Sequence, residues 1–480
     1  MTAPAPLLVV GDALLDHDVT GRAERLAPDA PVPVVSGLGR TTRPGGAALA
    51  ACLAANDGRP VTLVTALGDD QASDTLRGLL AGRVRLVQLP LTGDLSSKTR
   101  ILAEGRPLLR LDDGDGRARE ATDAARRAVA EASAVLVADY GRGTADVLRE
   151  ALTAAAARVP LVWDPHPRGR PPVPGARVVT PSAAEARAFA ARLDGARETG
   201  GGELRVAARD AGALVEAWRA GAVAVTLGGR GALLSHGGTP LMVPSPVSAQ
   251  GDACGAGDRF AATAAGLLAD GELTETAVCA AVHAATRYVA EGGVRSVATG
   301  AAAAGDPGPA RGREEAADAL RTAARVRAAG GTVVAAGGCF DLLHAGHVAL
   351  LQAARRTGDC LIVCVNSDAS VRRRKGGGRP LVPVTDRVRV LRALECVDAV
   401  AVFEEDTPER LLAELRPHIW AKGGDYARTP LPEASLVASW GGQVVLFPYL
   451  DGRSTTGIAE RAALAPRPVD LSRAATRGRW

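Results

Sequence analysis

Lysine is nearly missing from this chain. Of 57 basic residues among 480, only Lys98, Lys375 and Lys422 are lysine. Abundant Ala, Gly and Arg fit a GC-rich coding sequence, which exchanges lysine for arginine wherever the surface tolerates it. The three survivors mark either chance or places that need a compact ammonium rather than a planar guanidinium fork. No run of about 18 uncharged apolar residues occurs, so no transmembrane helix is read. The opening MTAPAPLLVVGD has no basic stretch followed by an apolar one. No signal peptide is read there, and the expectation is a cytoplasmic protein without a membrane partner. The seven cysteines form no CxxC pair and are odd in number, which points to reduced thiols rather than a disulfide framework. A net charge of +4, with both signs interspersed, leaves no nucleic-acid footprint.

What is present is the composition of a soluble globular protein, 47% hydrophobic and 23% charged. The length calls for two or three domains. Over 1–300, apolar runs such as LLVVGD (7–12), VTLVTALG (61–68), AVLVADY (134–140) and AVAVTLGG (222–229) alternate with helical patterns at 46–56, 71–81, 144–157 and 206–219. Continuous Val/Leu strands between helices predict a parallel sheet covered on both faces. The segments 30–37 and 97–113 read instead as partly exposed strands, the second a hairpin about Glu104-Gly105, together forming a flap. Residues 298–312, ATGAAAAGDPGPARG, have linker composition. The expected domains are 1–300, a linker and leading helix over 301–330, and a second α/β domain over 331–480.

The first chemical centre is GDACGAGDRFAATAAGLLA (251–269). Gly255, Ala256 and Gly257 precede a helical run, so free amides of its first turn form an anion site. Asp258 lies within it, either as a general base or as an ordinary helix cap. Asp12 ends the first strand, where ligands bind in open α/β sheets. GDALLD also carries Asp16, and Gly45-Gly46 opens a helix. TPSAAEA carries Ser182 and Glu185, and TLGGRGALL carries Thr226, Gly228 and Gly231 in a glycine turn.

In this order the motifs resemble the ribokinase-like (phosphofructokinase-B type) sugar kinases over roughly 1–300. The resemblance implies a three-layer α/β domain with a β flap. It implies that Asp258 takes a proton from a sugar hydroxyl while amides at 255–258 hold the γ-phosphate. The 226–231 turn would border adenine and ribose, and Ser182 and Glu185 would lie near ATP phosphates and Mg²⁺. Three positions depart from the family: Ser182 stands where Asn is usual, Ala253 where Thr is frequent, and Arg259 replaces a small residue.

The second centre is GGCFDLLHAGHVALL (337–351), with His344 and His347 three apart at a helix start. Zinc is disfavoured, because paired ligands on a helix more often sit four apart and no third ligand is evident. A capping or core role is set aside because the flanking glycines would then have no purpose. The remaining reading aims both rings at a polyphosphate. The stretch resembles the G-x-F-D-x-x-H-x-G-H signature of cytidylyltransferase-like nucleotidyltransferases, which implies a Rossmann-like domain. That family implies catalytic His344, His347 and Lys375, with Gly338, Phe340, Asp341, Arg379, Lys422, Ser454, Thr455 and Thr456 around the nucleotide. It also implies Mg²⁺ and direct attack of a sugar phosphate on the α-phosphorus.

Longer segments, among them 11–35, 365–380, FEEDTPERLL (403–412) and KGGDY (422–426), resemble the bifunctional D-glycero-β-D-manno-heptose-7-phosphate kinase/heptose-1-phosphate adenylyltransferases in the same domain order. The resemblance implies C1 phosphorylation of heptose 7-phosphate, removal of the 7-phosphate by a separate phosphatase, and adenylyl transfer giving ADP-heptose. Asp12, Asp16, Gly45 and Gly46 would meet the sugar, and Lys98, Arg100 and Arg110 its phosphate. The expected partners are heptose phosphates and ATP, with a homodimer through the kinase domain. Another sugar or polyol phosphate, with CTP as the other candidate nucleotide, and a catalytically idle scaffold are the alternatives.

Overall fold

The computed structural model of the protein describes residues 4–104, 106–194, 202–246, 251–293, 317–376, 378–424 and 431–448. The chain divides into two compact units, Met1–Gly308 and Pro309–Trp480. The linker segment 298–312 and Ser454, Thr455 and Thr456 lie outside the described residues. No helix among the described residues is long and apolar enough to cross a membrane.

In the first unit, parallel strands Arg85–Thr92, Val61–Leu67, Leu7–Gly11, Val135–Ala138, Leu161–Asp164, Val178–Val179 and Val223–Thr226 lie side by side in that order. Antiparallel Gly231–Ser235 and Leu241–Pro244 continue beyond the last, and Arg117–Ala118 pairs with the first. Val9, Val10, Leu136 and Val137 are fully buried. That accounts for strands reading as unbroken apolar runs rather than alternating ones.

The flap is larger than the sequence suggests. Ala13–Leu26 pairs antiparallel with Pro33–Gly46 and parallel with Ser97–Ala103, which pairs antiparallel with Arg106–Asp113. Glu104 turns the last hairpin with a positive φ of 49°. Only Asp12 separates strand Leu7–Gly11 from the flap strand Ala13–Leu26. Ala13–Leu26 is too mixed in polarity to stand out as a strand until its partners are known. The single helix expected over 144–157 is two, Thr144–Val147 and Arg149–Ala156.

In the second unit the strands lie in the order Ala399–Phe403, Cys360–Asn366, Val333–Gly338, Ile419–Gly424, Gln443–Pro448, all parallel. The order reverses between Val333–Gly338 and Ile419–Gly424, the switch point at which such sheets bind ligands beyond their carboxyl ends. The leading helix is Ala317–Ala328. Helix Asp368–Lys375, within the basic segment, has Ser367 as N-cap and four cations in its last turn. Those cations favour the negative end of the helix dipole.

Candidate active sites

Helix Ala256–Ala269 starts at Gly255, whose φ is 78°. A Cβ there would lie 2.7 Å from the Tyr288 hydroxyl, so only glycine fits. The cap places Asp258 in the first turn, buried, accepting a 2.8 Å hydrogen bond from the Tyr140 hydroxyl. Burial pushes the Asp258 carboxyl up to about 7, against the Tyr140 hydrogen bond, with Asp16 adding to the rise and Lys98 opposing it. A carboxyl poised there suits proton transfer near neutrality.

Two cavities border the segment before Asp258. One, of about 860 Å³, is lined by Arg100, Leu109 and Arg110 of the flap and by Gly251–Cys254. The other, of about 340 Å³, is lined by Ser182, Thr226, Gly228, Gly231, Ala256 and Gly257, with Val282 and Thr286 behind. Gly251 and Ala253 border both. The expected ATP-side residues thus gather around one cavity, apart from Gly255, which caps the helix, and Glu185.

Ser182 and Glu185 form a capping box on helix Ala183–Asp194. Glu185 Oε2 accepts from the Ser182 amide (2.9 Å) and hydroxyl (2.8 Å), and the Glu185 amide donates to Ser182 Oγ at 3.3 Å. S-x-x-E is the sequence signature of this cap, so a structural role stands beside the expected ATP one. Arg259 turns away from the site and holds Asp57 at 2.9 Å, past the end of helix Ala47–Asn56. The departure at that position therefore serves packing.

On the sugar side, Asp12 is more committed than expected. Its carboxylate accepts from the amides of Tyr140 (3.0 Å), Arg142 (2.8 Å) and Thr144 (3.1 Å), so it organises the loop 140–144. Asp16 is buried, with Arg43 and Arg100 each 3.9 Å away and no hydrogen bond to its Oδ1 among the described residues. Burial raises its pKa, opposed by Arg43, Arg100 and Lys98. Burial lowers that of Lys98, opposed by Asp16. Arg100 donates to Cys254 Sγ, and Arg110 is held by Asp112 on the exposed strand Arg106–Asp113. Gly46 caps helix Ala47–Asn56 at φ 55°; a Cβ would lie 2.6 Å from the Asp12 carbonyl oxygen. A Cβ on Gly45 would lie 2.8 Å from Asp16 Oδ2.

In the second unit, strand Val333–Gly338 delivers Phe340, Asp341 and the histidines to the switch point. Phe340 has a φ of 46° and is buried against His347, with ring centroids 5.2 Å apart. His344 does cap helix Ala345–Arg355: its Nδ1 accepts from the Gly346 amide at 3.1 Å. The capping role set aside above is therefore real. The two imidazoles stack, with centroids 3.9 Å apart. His347 Nδ1 is buried without a hydrogen-bond partner among the described residues. Burial, reinforced by His344, brings the His347 pKa down to about 4, so its ring is neutral at pH 7.

Asp341 is fully buried and anchors the loop that carries Arg379. It accepts from Arg379 (2.7 Å) and from the amides of Leu381 (2.6 Å) and Val382 (3.0 Å). Burial raises its pKa, but these donors, the Val382 amide foremost, outweigh it and hold the carboxyl below its ordinary range. Lys375 ends helix Asp368–Lys375 with Nζ 3.1 Å from Cys339 Sγ, beside Gly338. Lys422 pairs with buried Glu433 at 2.8 Å, so part of its charge is already balanced.

Sequence reasoning missed Tyr140, Arg43 and Arg387. Arg387 is fully buried and ties the Cys339 and Val382 carbonyls to Asp368. In a chain with 54 arginines, nothing local marks it out.

Comparison with known proteins agrees along the chain. The pfkB carbohydrate kinase family model matches residues 5–299, and the cytidylyltransferase-like model matches 335–448. The chain is 64% identical to the bifunctional protein HldE of Streptomyces coelicolor, covering 97% of this chain and 98% of that protein. It is 37% identical to the bifunctional protein HldE of Pseudomonas aeruginosa, covering 95% and 97%. A crystal structure of Thermotoga maritima ribokinase aligns with a TM-score of 0.47 at 20% identity, over 61% of this chain and 95% of that one. The chain belongs to the family of bifunctional HldE proteins, in which a pfkB-type carbohydrate kinase precedes a cytidylyltransferase-like unit.

Proposed function

We propose that the first unit phosphorylates D-glycero-β-D-manno-heptose 7-phosphate at C1 with ATP, and that the second transfers an adenylyl group from ATP to heptose 1-phosphate, giving ADP-heptose and diphosphate. Residues 1–300 and 331–480 are the two catalytic domains, with the linker and leading helix at 301–330. The observation that carries the kinase reading is Asp258, buried at a glycine-capped helix start behind a segment that borders two cavities.

The sugar phosphate takes the flap side, where Lys98, Arg100 and Arg110 supply positive charge and Asp16 accepts hydroxyls. ATP takes the other side. Asp258 accepts the C1 hydroxyl proton as the new O–P bond forms and the bond to ADP breaks. Amides at 255–258 stabilise the charge that builds on the transferred group. Magnesium carried by nucleotide phosphates needs only one or two protein carboxylates. Glu185, beside Ser182 at the ATP cavity, is the one that would face it, and the ion would shield phosphate charge.

In the second unit the sugar-phosphate oxygen attacks the α-phosphorus and diphosphate leaves. His344, His347 and Lys375 would surround that position, with Arg379 and Lys422 around the phosphates. Exposed Leu26, Leu38, Leu109 and Leu111 on the flap strands support a homodimer through the kinase domain of a cytoplasmic enzyme.

Incubation with heptose 7-phosphate and ATP, followed by mass spectrometry, should give heptose 1,7-bisphosphate. Heptose 1-phosphate and ATP should give ADP-heptose. Preference for another sugar phosphate or for CTP in a substrate panel would overturn the assignment.

A further inference from the structure

Tyr140 belongs to none of the motifs above, yet three parts of the kinase site converge on it. Its amide donates to Asp12 Oδ2 at 3.0 Å, and its hydroxyl donates to Asp258 Oδ1 at 2.8 Å. Lys98 Nζ lies over its ring, 5.4 Å from the centroid. A Cβ on Gly46 would come within 3.2 Å of its Cε2, so the glycine at 46 leaves the ring its place.

We propose that Tyr140 is a positioning residue of the kinase reaction: its hydroxyl orients Asp258 and holds it as a carboxylate, and its ring face carries Lys98 towards the sugar phosphate. This rests on Asp258 being the base. A base in a buried position must first be ionised, and burial opposes that. The groups facing Asp258 are Tyr140 from the loop, Asp16 and Lys98 from two flap strands, Asp164 from the end of Leu161–Asp164, and Tyr288 from helix Thr274–Ala290. Asp16 opposes ionisation through its charge, whereas burial, with the Asp258 charge, pushes the Asp164 carboxyl well above the ordinary range, so it stands there as a neutral acid. Lys98 and Tyr140 favour it, and of these groups it is Tyr140 that donates a hydrogen bond to the side chain. Burial, with the Asp258 charge, pushes the Tyr140 hydroxyl well above the ordinary phenol range, so it remains a donor at working pH. With Oδ1 engaged, Oδ2 is the oxygen that takes the C1 proton.

Tyr140→Phe keeps the ring under Lys98 and removes only the donor. The KM for heptose 7-phosphate should stay within about twofold, while the acid limb of kcat/KM moves up by about one pH unit. The rate loss should then be about tenfold at pH 6 and nearly absent at pH 9. Tyr140→Leu, which also removes the ring, should raise KM as well. A Phe variant whose profile superimposes on the wild type, or falls by one factor at every pH, overturns the proposal. Should these variants not fold, 3-fluorotyrosine at position 140 supplies a more acidic donor in an almost unchanged shape. It should move the limb to lower pH, and an unmoved limb overturns the proposal. Carboxyl ¹³C NMR titration of Asp258, assigned with Asp258→Asn, follows the same shifts without substrate, so a wrong sugar assignment leaves that arm readable.

Discussion

Asp341→Ala should unfold the second unit at markedly lower temperature while leaving kinase chemistry intact. The carboxylate is 1% exposed and receives three donors, one of them the Arg379 guanidinium at 2.7 Å. Truncation leaves two amides and a guanidinium whose side chain is only 21% exposed without their acceptor. Breaking a buried pair from one side costs about 3–5 kcal/mol, a large share of the roughly 5–15 kcal/mol that holds a domain together. For a unit of this size that is a fall in Tm of about 6–20 °C. Asp341→Asn keeps the shape and one acceptor oxygen but turns an amide group towards the Arg379 donors. It should cost less than Ala and still weaken adenylyl transfer, because the 379–382 loop loses its anchor. The pH sign follows from the depressed carboxyl. Its contribution is complete above the ordinary aspartate range and is lost as pH falls through the lowered pKa. The gap between wild type and Asn variant should therefore narrow on acidification. Calorimetry between pH 7 and pH 3, with both activities measured in parallel, tests this. A wild-type midpoint for Asp341→Ala, or a gap that widens in acid, would refute the reasoning.

Asp258→Asn should lower the kinase rate by about 10²–10⁴-fold and leave adenylyl transfer unchanged; steady-state rates of the two reactions decide it. Glu185→Gln keeps an S-x-x-Q capping box while removing the charge. The melting temperature should stay within about 1 °C, and the KM for Mg–ATP should rise; an unchanged KM would make Glu185 a cap alone. Lys375→Arg should slow adenylyl transfer by up to about a hundredfold although the charge is kept, since a displacement of roughly 1 Å can cost that much. Lys422→Arg should be milder, because Glu433 already holds that cation, and wild-type rates in both would make the surviving lysines accidents of codon usage.

Local chemistry settled much of this protein before any tertiary contact. Unbroken Val/Leu runs between helical patterns required a covered parallel sheet, and Gly255 ahead of an alanine-rich run required a helix start with Asp258 in its first turn. S-x-x-E is the local pattern of the capping box that Ser182 and Glu185 form. These features depend on neighbours a few residues away, so the sequence shows them directly. The tertiary structure alone decided which distant groups meet. Ala13–Leu26 became a strand because Pro33–Gly46 pairs along one side and Ser97–Ala103, some 80 residues later, lies parallel along the other. Tyr140 meets Asp258 across 118 residues, Asp12 spends its acceptors on a loop 128 to 132 residues ahead, and Arg387 is one arginine among 54 until the fold buries it between two loops and a helix. Whether a charged side chain is exposed, paired or aimed at a substrate depends on the partners that burial supplies, and those partners are set by topology rather than by any pattern along the chain.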